Sequence, residues 1–149
     1  WISKEGSHHR RLDRLLEVKK LANGPERGLS VVAKTDIKRF DVLGPYTGKL
    51  HRDQASIDAE ILEKGEAAVG TYLFQTNTQG ATISGHGNSS TLSLINAVKV
   101  PNLPDAGIEN VGALYVGKYM VFLIAWRDIP AGTELLMDYG KAYWKYMRP

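Results

Sequence analysis

The sequence predicts a mostly β domain with few helices, assembled from several small sheets, and three observations predict it. Short runs rich in Val, Ile, Leu and Tyr recur along the chain, each bounded by Gly, Pro, Asn or Asp corners. Only two stretches carry helical spacing with capping residues at their ends. A long polar segment from Gly85 to Asn110, rich in Gly, Asn, Ser and Pro, interrupts the pattern as functional loops do. The 149 residues are 43% hydrophobic and 23% charged with 15 glycines, the composition of one ordinary folded domain. No apolar run approaches the roughly 18 residues that a membrane-spanning helix requires.

Taken in order, Ser7 caps a helix running to about Ala22, with Leu12, Leu15, Leu16 and Ala22 on one face and Asn23-Gly24-Pro25 stopping it. It reads as an appendage held by a narrow leucine stripe. Residues 1–27 hold seven Lys and Arg against four acids, and 12 of each sign follow, so the net charge of +3 lies in this segment. Such a basic helix is either a solvated face or a contact for DNA, an acidic partner or an anionic membrane face. Leu29 to Ala33 and Val42 to Thr47 read as strands around the polar turn Lys38-Arg39-Phe40-Asp41. Asp53 caps a second helix to about Glu63, before Gly65. Tyr72 to Thr76 and Ala81 to Ser84 form a hairpin around Asn77-Thr78-Gln79-Gly80. After the polar segment, with its apolar island Leu92-Ser93-Leu94-Ile95, Val111 to Val116 and Tyr119 to Trp126 form another hairpin. The second of these strands is nearly all apolar and is expected to be buried on both faces. Arg127 to Thr133 is a turn, and Glu134-Leu135-Leu136-Met137 begins a buried strand that runs into the aromatic residues Tyr139, Tyr143, Trp144 and Tyr146. No internal repeat is expected.

With no cysteine there is no disulfide framework, no thiolate nucleophile and no cysteine-held zinc. His8, His9, His51 and His86 lack ligand spacing, so no metal site is expected. A chain that starts at Trp1 reads as a fragment of a longer one.

Four segments, in order, resemble the SET domain of protein lysine methyltransferases, and its PR (PRDM-type) branch more than the zinc-rich enzymes. Gly28-Leu29-Ser30-Val31-Val32-Ala33 is similar to the family's Gly-x-Gly start, with Ser30 in place of the second glycine. Leu43-Gly44-Pro45-Tyr46-Thr47-Gly48 looks like its Tyr-x-Gly, and Gly87-Asn88 through Leu94-Ile95-Asn96, followed by Asn110-Val111, like its third segment. Arg127 to Gly140, ending Met137-Asp138-Tyr139-Gly140, is the most specific. The Asn-His-Ser-Cys signature is here Asn96-Ala97-Val98-Lys99, and the zinc-binding cysteines are absent. Of Asn102 and Asn110, spacing favours Asn110 as the family's downstream asparagine.

The resemblance implies a β-clip fold over 28–140 with a knot-like C-terminal segment, a basic helical extension over 1–27, and a closing helical and aromatic segment over 141–149. It implies S-adenosylmethionine as methyl donor, no metal, and the side-chain amine of a protein lysine as acceptor. Tyr139 and Tyr46 are then the catalytic candidates, and Tyr46, Met137 and Tyr139 wall the lysine channel. Gly28, Leu29, Ser30, Tyr72, Asn96, Ala97, Tyr139 and Trp144 bind the donor, with Tyr143 beside Trp144. Read alone, each tyrosine is an ordinary core aromatic, Asn96 a turn or cap, and Trp144 a hydrophobic plug. Met137 stands where the family's Phe or Tyr limits the number of methyl groups, which implies more than monomethylation. A histone tail is the substrate that the resemblance favours; a ribosomal or other non-histone protein, and a catalytically weak module that binds a protein partner, are the alternatives. The zinc-free form also suits a bacterial protein, including an effector aimed at host chromatin. A nuclear location follows from a histone substrate and a cytoplasmic one from the others.

Overall fold

The computed structural model of the chain describes residues 11–20, 29–65, 73–85, 91–97 and 108–137. Residues 11–15 are helical, and the chain then turns into a strand, β1 (Leu16–Lys20), antiparallel to β2 (Leu29–Ala33), in register from Leu16↔Ala33 to Lys20↔Leu29. The helix expected as far as Ala22 therefore ends by Leu15. Its leucine stripe is real, since Leu12 and Leu16 are both buried. Beyond Leu16, however, an antiparallel ladder against β2 pairs the backbone groups that face it and outweighs a few tenths of a kcal/mol of helix propensity per residue. Nor is the segment a mere appendage, because the Arg11 guanidinium donates to the carbonyls of Leu43 (2.8 Å) and Val42 (2.7 Å).

β3 (Val42–Pro45), β4 (Lys49–His51), the helix α1 (Gln54–Lys64), β5 (Leu73–Gln75) and β6 (Thr82–Ser84) follow. A 3-10 turn over Thr91–Leu94 leads into β7 (Asn96–Ala97), and β8 (Val111–Val116), β9 (Met120–Ala125) and β10 (Leu136–Met137) complete the described elements. The α1 boundaries are the expected ones. The Asp53 carboxylate accepts from the Ser56 N–H at 2.8 Å, and the Gly65 N–H closes the other end on the Ile61 carbonyl. The expected hairpins form as β5–β6 and β8–β9. No signal in the sequence marked β4, which is short and polar and exists because β6 pairs with it from Lys49↔Ser84 to His51↔Thr82.

The strands make three sheets, of order β1-β2, β3-β9-β8-β10-β7 and β4-β6-β5. β10 lies parallel to both β8 and β7, so the C-terminal strand is inserted between two strands made earlier in the chain. β9 is buried on both faces along its middle, as expected. Val121, Leu123 and Ala125 point into the core, and on the other face Phe122 is buried and Ile124 half-buried, whereas Met120 at its start faces solvent beside Val116 and Trp126, just past its end, lies half-exposed across Gly112.

A repeat absent from the sequence reading emerges where residues 33–40 meet residues 125–132. Ala33-x-x-Asp36-Ile37 and Ala125-x-x-Asp128-Ile129 each lead into the same turn, and the two turns clasp each other reciprocally. Ile37 and Ile129 exchange backbone hydrogen bonds (2.9 and 2.7 Å). Asp36 accepts from the Ala131 N–H at 2.9 Å, and Asp128 accepts from the Arg39 N–H at 2.8 Å. The Phe40 N–H reaches the Ala125 carbonyl, and the Gly132 N–H reaches the Ala33 carbonyl. Both turns require positive φ at their third residue, 87° at Gly132 and 71° at Phe40. Glycine meets that demand freely; phenylalanine meets it at about 1–2 kcal/mol. Replacing Phe40 by Ala keeps the strain and loses the ring, whereas Gly loses the ring and the strain together. Phe40→Gly is therefore expected to be more stable than Phe40→Ala by about 1 kcal/mol in urea unfolding, the reverse of the usual order of the two residues.

Candidate functional site

Three of the expected site segments gather around the fourth, at the stretch leading through Glu134 to Met137. On one side the Leu135 N–H donates to the Val31 carbonyl at 2.8 Å and Glu134 bridges to Val32, which brings the start of β2, Leu29-Ser30, alongside. On the other side β10 runs parallel to β7, with Leu136 opposite Asn96 and Met137 opposite Ala97. Met137, 1% exposed, sits between Ala97 and Val111 in this ladder. β7 is the last strand of its sheet, so among the described residues the backbone of Asn96-Ala97 has a sheet edge to offer a ligand. At the end of β2, Ser30 is buried while Leu29 is 45% exposed, which places the boundary with solvent between them.

Tyr46 enters from β3. Its N–H is held by the Val121 carbonyl at 2.8 Å, its ring packs on Phe74 with centroids 4.9 Å apart, and 3% of the residue is exposed. Its hydroxyl end lies against the backbone at Gly85: a Cβ on that glycine would stand 3.0 Å from the phenol oxygen and 3.2 Å from Ser93 Cβ. Two residues on, a Cβ at Gly48 would stand 2.0 Å from the Ser84 carbonyl oxygen. Tyr46-Thr47-Gly48 thus wraps the end of β6, its tyrosine on one side of Ser84-Gly85 and its glycine on the other. Tyr46, Met137, Leu92 and Ile95 share one buried cluster.

The SET domain family profile matches residues 28–140. The chain belongs to the SET domain family. No curated protein matches it. Among solved structures, a SET domain chain from Cryptosporidium, CpSET8, superposes with TM-score 0.63 at 22% identity over 95% of this chain and 68% of that one. The Polycomb repressive complex 2 of Chaetomium thermophilum superposes with TM-score 0.63 at 22% identity over 85% of this chain. The same complex in an autoinhibited conformation bound to S-adenosylmethionine gives 0.62 at 21% over 89%. These likenesses are of fold. The chain spans only 15% and 16% of those two Polycomb chains.

Of the residues expected at the site of this SET domain, the structure describes Leu29, Ser30, Tyr46, Asn96, Ala97 and Met137. Gly28, Tyr72, Tyr139, Tyr143 and Trp144 lie outside the described residues, as do residues 1–10 and 141–149. Around these segments the SET domain also places residues that the sequence reading passed over or left undecided. Asn110, one of two asparagines considered, is buried and uses every polar group it has. Its N–H and carbonyl bond the Leu136 carbonyl and the Trp126 N–H, its amide donates to the Glu134 carbonyl (2.9 Å), and its Oδ1 accepts from the Leu136 N–H (2.8 Å). It is the clamp on the stretch that carries Met137 and leads to Tyr139.

A buried polar group joins α1 to the sheet behind Tyr46. The Ser84 hydroxyl donates to Glu60 Oε1 at 2.5 Å, and His51 Nε2 faces the same oxygen at 3.4 Å, long for a hydrogen bond. His51 Nδ1 lies 2.6 Å from the Ser56 hydroxyl, and Lys64 Nζ lies 3.6 Å from Glu60 Oε2. The one available sequence signal was Glu60 itself, three residues after Ile57 on the inward face of α1. Burial pushes the Glu60 carboxyl up, but the Ser84 hydrogen bond, His51 and Lys64 together hold it below the usual glutamate range. A lowered folded value means the unfolded chain binds the proton more readily. The stabilisation is then complete above the unfolded value of about 4.3 and is lost as pH falls through the lower folded one. Glu60→Gln is accordingly expected to remove part of the loss in thermal midpoint that the parent suffers below about pH 4, measured as midpoint against pH.

Proposed function

We propose that the chain is an S-adenosylmethionine-dependent protein lysine N-methyltransferase. The observation that carries this is the convergence of Leu29-Ser30, the β7 edge and buried Tyr46 on the strand that leads directly to Tyr139, within a domain of this family. The donor supplies a methyl group activated on a sulfonium. The backbone at Gly28-Leu29-Ser30 and at Asn96-Ala97 would hold it, with Tyr72 and Trp144 beside it; a solvent-facing end of β2 and an open strand edge fit that task. A solved neighbour bound to S-adenosylmethionine supports the same assignment.

The chain's own work is to bind, orient and desolvate a lysine amine whose ordinary pKa is about 10.4. The amine must be neutral to attack, and a narrow aromatic channel beside a positive charge favours that form. Tyr46, already locked between Phe74 and Gly85, lines the channel, and the Tyr139 hydroxyl orients the amine in line with the methyl group. Met137 brings no hydroxyl that would hold a water in place of a second methyl group.

A histone tail is the substrate we favour, which would place the protein at chromatin; a non-histone lysine fits the same channel. A second reading, a PR-type module that binds a protein partner and transfers methyl groups weakly, is favoured by Ala97-Val98-Lys99 standing where His, Ser and Cys are usual. Labelled S-adenosylmethionine incubated with histones and a cell lysate separates the two. Transfer that disappears in Tyr139→Phe is expected, and donor binding without transfer to any protein would leave only the module. Mass spectrometry of the product is expected to show di- or trimethyllysine; monomethyllysine alone would overturn the role given to Met137.

A further inference from the structure

The group formed by His51, Ser56, Glu60, Lys64 and Ser84 has no part in the proposed transfer, yet it is the most elaborate polar arrangement among the described residues. Ser56, His51 and Glu60 have the composition of a hydrolytic triad. Hydrolysis does not follow, because His51 is completely buried and the Ser56 N–H, at the helix start, is already taken by Asp53. What the arrangement does control is the end of β6. Ser84 spends its hydroxyl on Glu60, its carbonyl sits over Gly48, and the next residue, Gly85, forms the surface on which the Tyr46 phenol rests.

We propose that Glu60 and Ser84 are positioning residues for Tyr46, fixing the wall of the lysine channel from behind. The inference rests on the reading of Tyr46 as that wall. Glu60 reaches β6 from α1, while His51 from β4 and Lys64 from the next turn of α1 hold its carboxylate in place. A hydrogen bond of 2.5 Å to a carboxylate is short and strong and fixes Ser84 to within a few tenths of an ångström. Gly85 follows Ser84 directly in the chain, and the gap between Gly85 and the Tyr46 phenol is too narrow for one added carbon, which would stand 3.0 Å from its oxygen. Loss of the Glu60–Ser84 bond leaves the fold's apolar core intact but frees the phenol to move by a fraction of an ångström. Misplacement on that scale reduces catalysis while leaving remote ligand contacts unaffected.

Ser84→Ala and Glu60→Ala are expected to lower kcat for methyl transfer about tenfold while the dissociation constant for S-adenosylmethionine, measured by calorimetry, stays within about twofold. Glu60→Gln retains an acceptor for the Ser84 hydroxyl and is expected to recover kcat to within about threefold of the parent. With ζ-13C tyrosine, the Tyr46 resonance, assigned by its absence in Tyr46→Phe, is expected to move in both alanine variants and to stay in place in Glu60→Gln. If Glu60→Ala fails to fold, Glu60→Asp, shorter by one methylene, is read in the same way. Folded variants that transfer methyl groups at the parent rate, or a Tyr46 resonance unmoved by Ser84→Ala, would overturn the positioning role. A parent protein that transfers no methyl group defeats the enzyme reading instead, and the Tyr46 resonance still decides whether Ser84 sets the phenol.

Discussion

Asn110→Ala is expected to destabilise the domain by about 3 kcal/mol and to lower its thermal midpoint by roughly 10 °C. The truncation removes two side-chain hydrogen bonds, each worth about 1 kcal/mol net, and strands their former partners, the Glu134 carbonyl and the Leu136 N–H, in a buried seam. The backbone bonds at the same residue, to Leu136 and Trp126, survive, so the strand stays paired but loosely held. Asn110→Asp makes the sharper comparison. It keeps the acceptor for Leu136 but turns an acceptor toward the Glu134 carbonyl, and at neutral pH it adds a charge to a position only 7% exposed. It is expected to be at least as damaging as Ala at pH 7 and to recover partly as the pH is lowered. Guanidinium unfolding at pH 5 and pH 7 checks both statements; an Ala variant within about 0.5 kcal/mol of the parent would show that Asn110 does not clamp the strand.

Gly48→Ala is expected to cost more, about 4 kcal/mol, placing it in the exceptional class of single substitutions. The contact at issue is with main chain: the new carbon would lie 2.0 Å from the Ser84 oxygen and 2.6 Å from its carbonyl carbon. No side chain can rotate away to relieve it. The β4–β6 pair has to open at Lys49↔Ser84, which disturbs the next pair, Leu50↔Ile83, and shifts Gly85 from the Tyr46 hydroxyl. Gly117→Ala is the control, at a positive φ of 63° in open surroundings, where only backbone strain of about 1 kcal/mol is expected. Equal losses for the two variants would mean that strain, not the close approach of β6, decides the outcome at Gly48.

Much of the fold was legible because local chemistry and tertiary context agree. Asp53 and Gly65 bound α1 as their capping chemistry dictates, and the turns at 77–80 and 117–118 place both hairpins. The convergence of the second, third and fourth resembling segments was legible only through the family, since nothing in Asn96 or Tyr46 taken alone distinguishes a site residue from a core one. What escaped the sequence was settled by partners distant along the chain. Leu16–Lys20 has helix-compatible residues and became a strand because β2 was available to pair with it. His51, Glu60 and Ser84 are separated by intervals that match neither helical nor strand periodicity, so only the packing of α1 on β4 and β6 brings them together. The matched turns are different. Ala-x-x-Asp-Ile occurs twice in plain sight, but one copy ends on Gly132 and the other on Phe40, and a repeat whose diagnostic glycine is replaced in one copy is easily passed over.

Those two clasped turns also set a timetable. Each of Asp36 and Asp128 caps the turn belonging to the other half, so neither turn is complete until residues about ninety positions apart have met. Closing a loop of that length is entropically slow, and contacts so distant in sequence place the domain among slow-folding topologies. During synthesis the first half leaves the ribosome with Val31, Ile37 and Leu43 lacking the partners that bury them, and it has to wait for Ile129 and Leu135 to emerge. Refolding of the domain is therefore expected to complete only once residues 125–137 can join 31–43, and the interval before that is when its apolar surface is most exposed to aggregation.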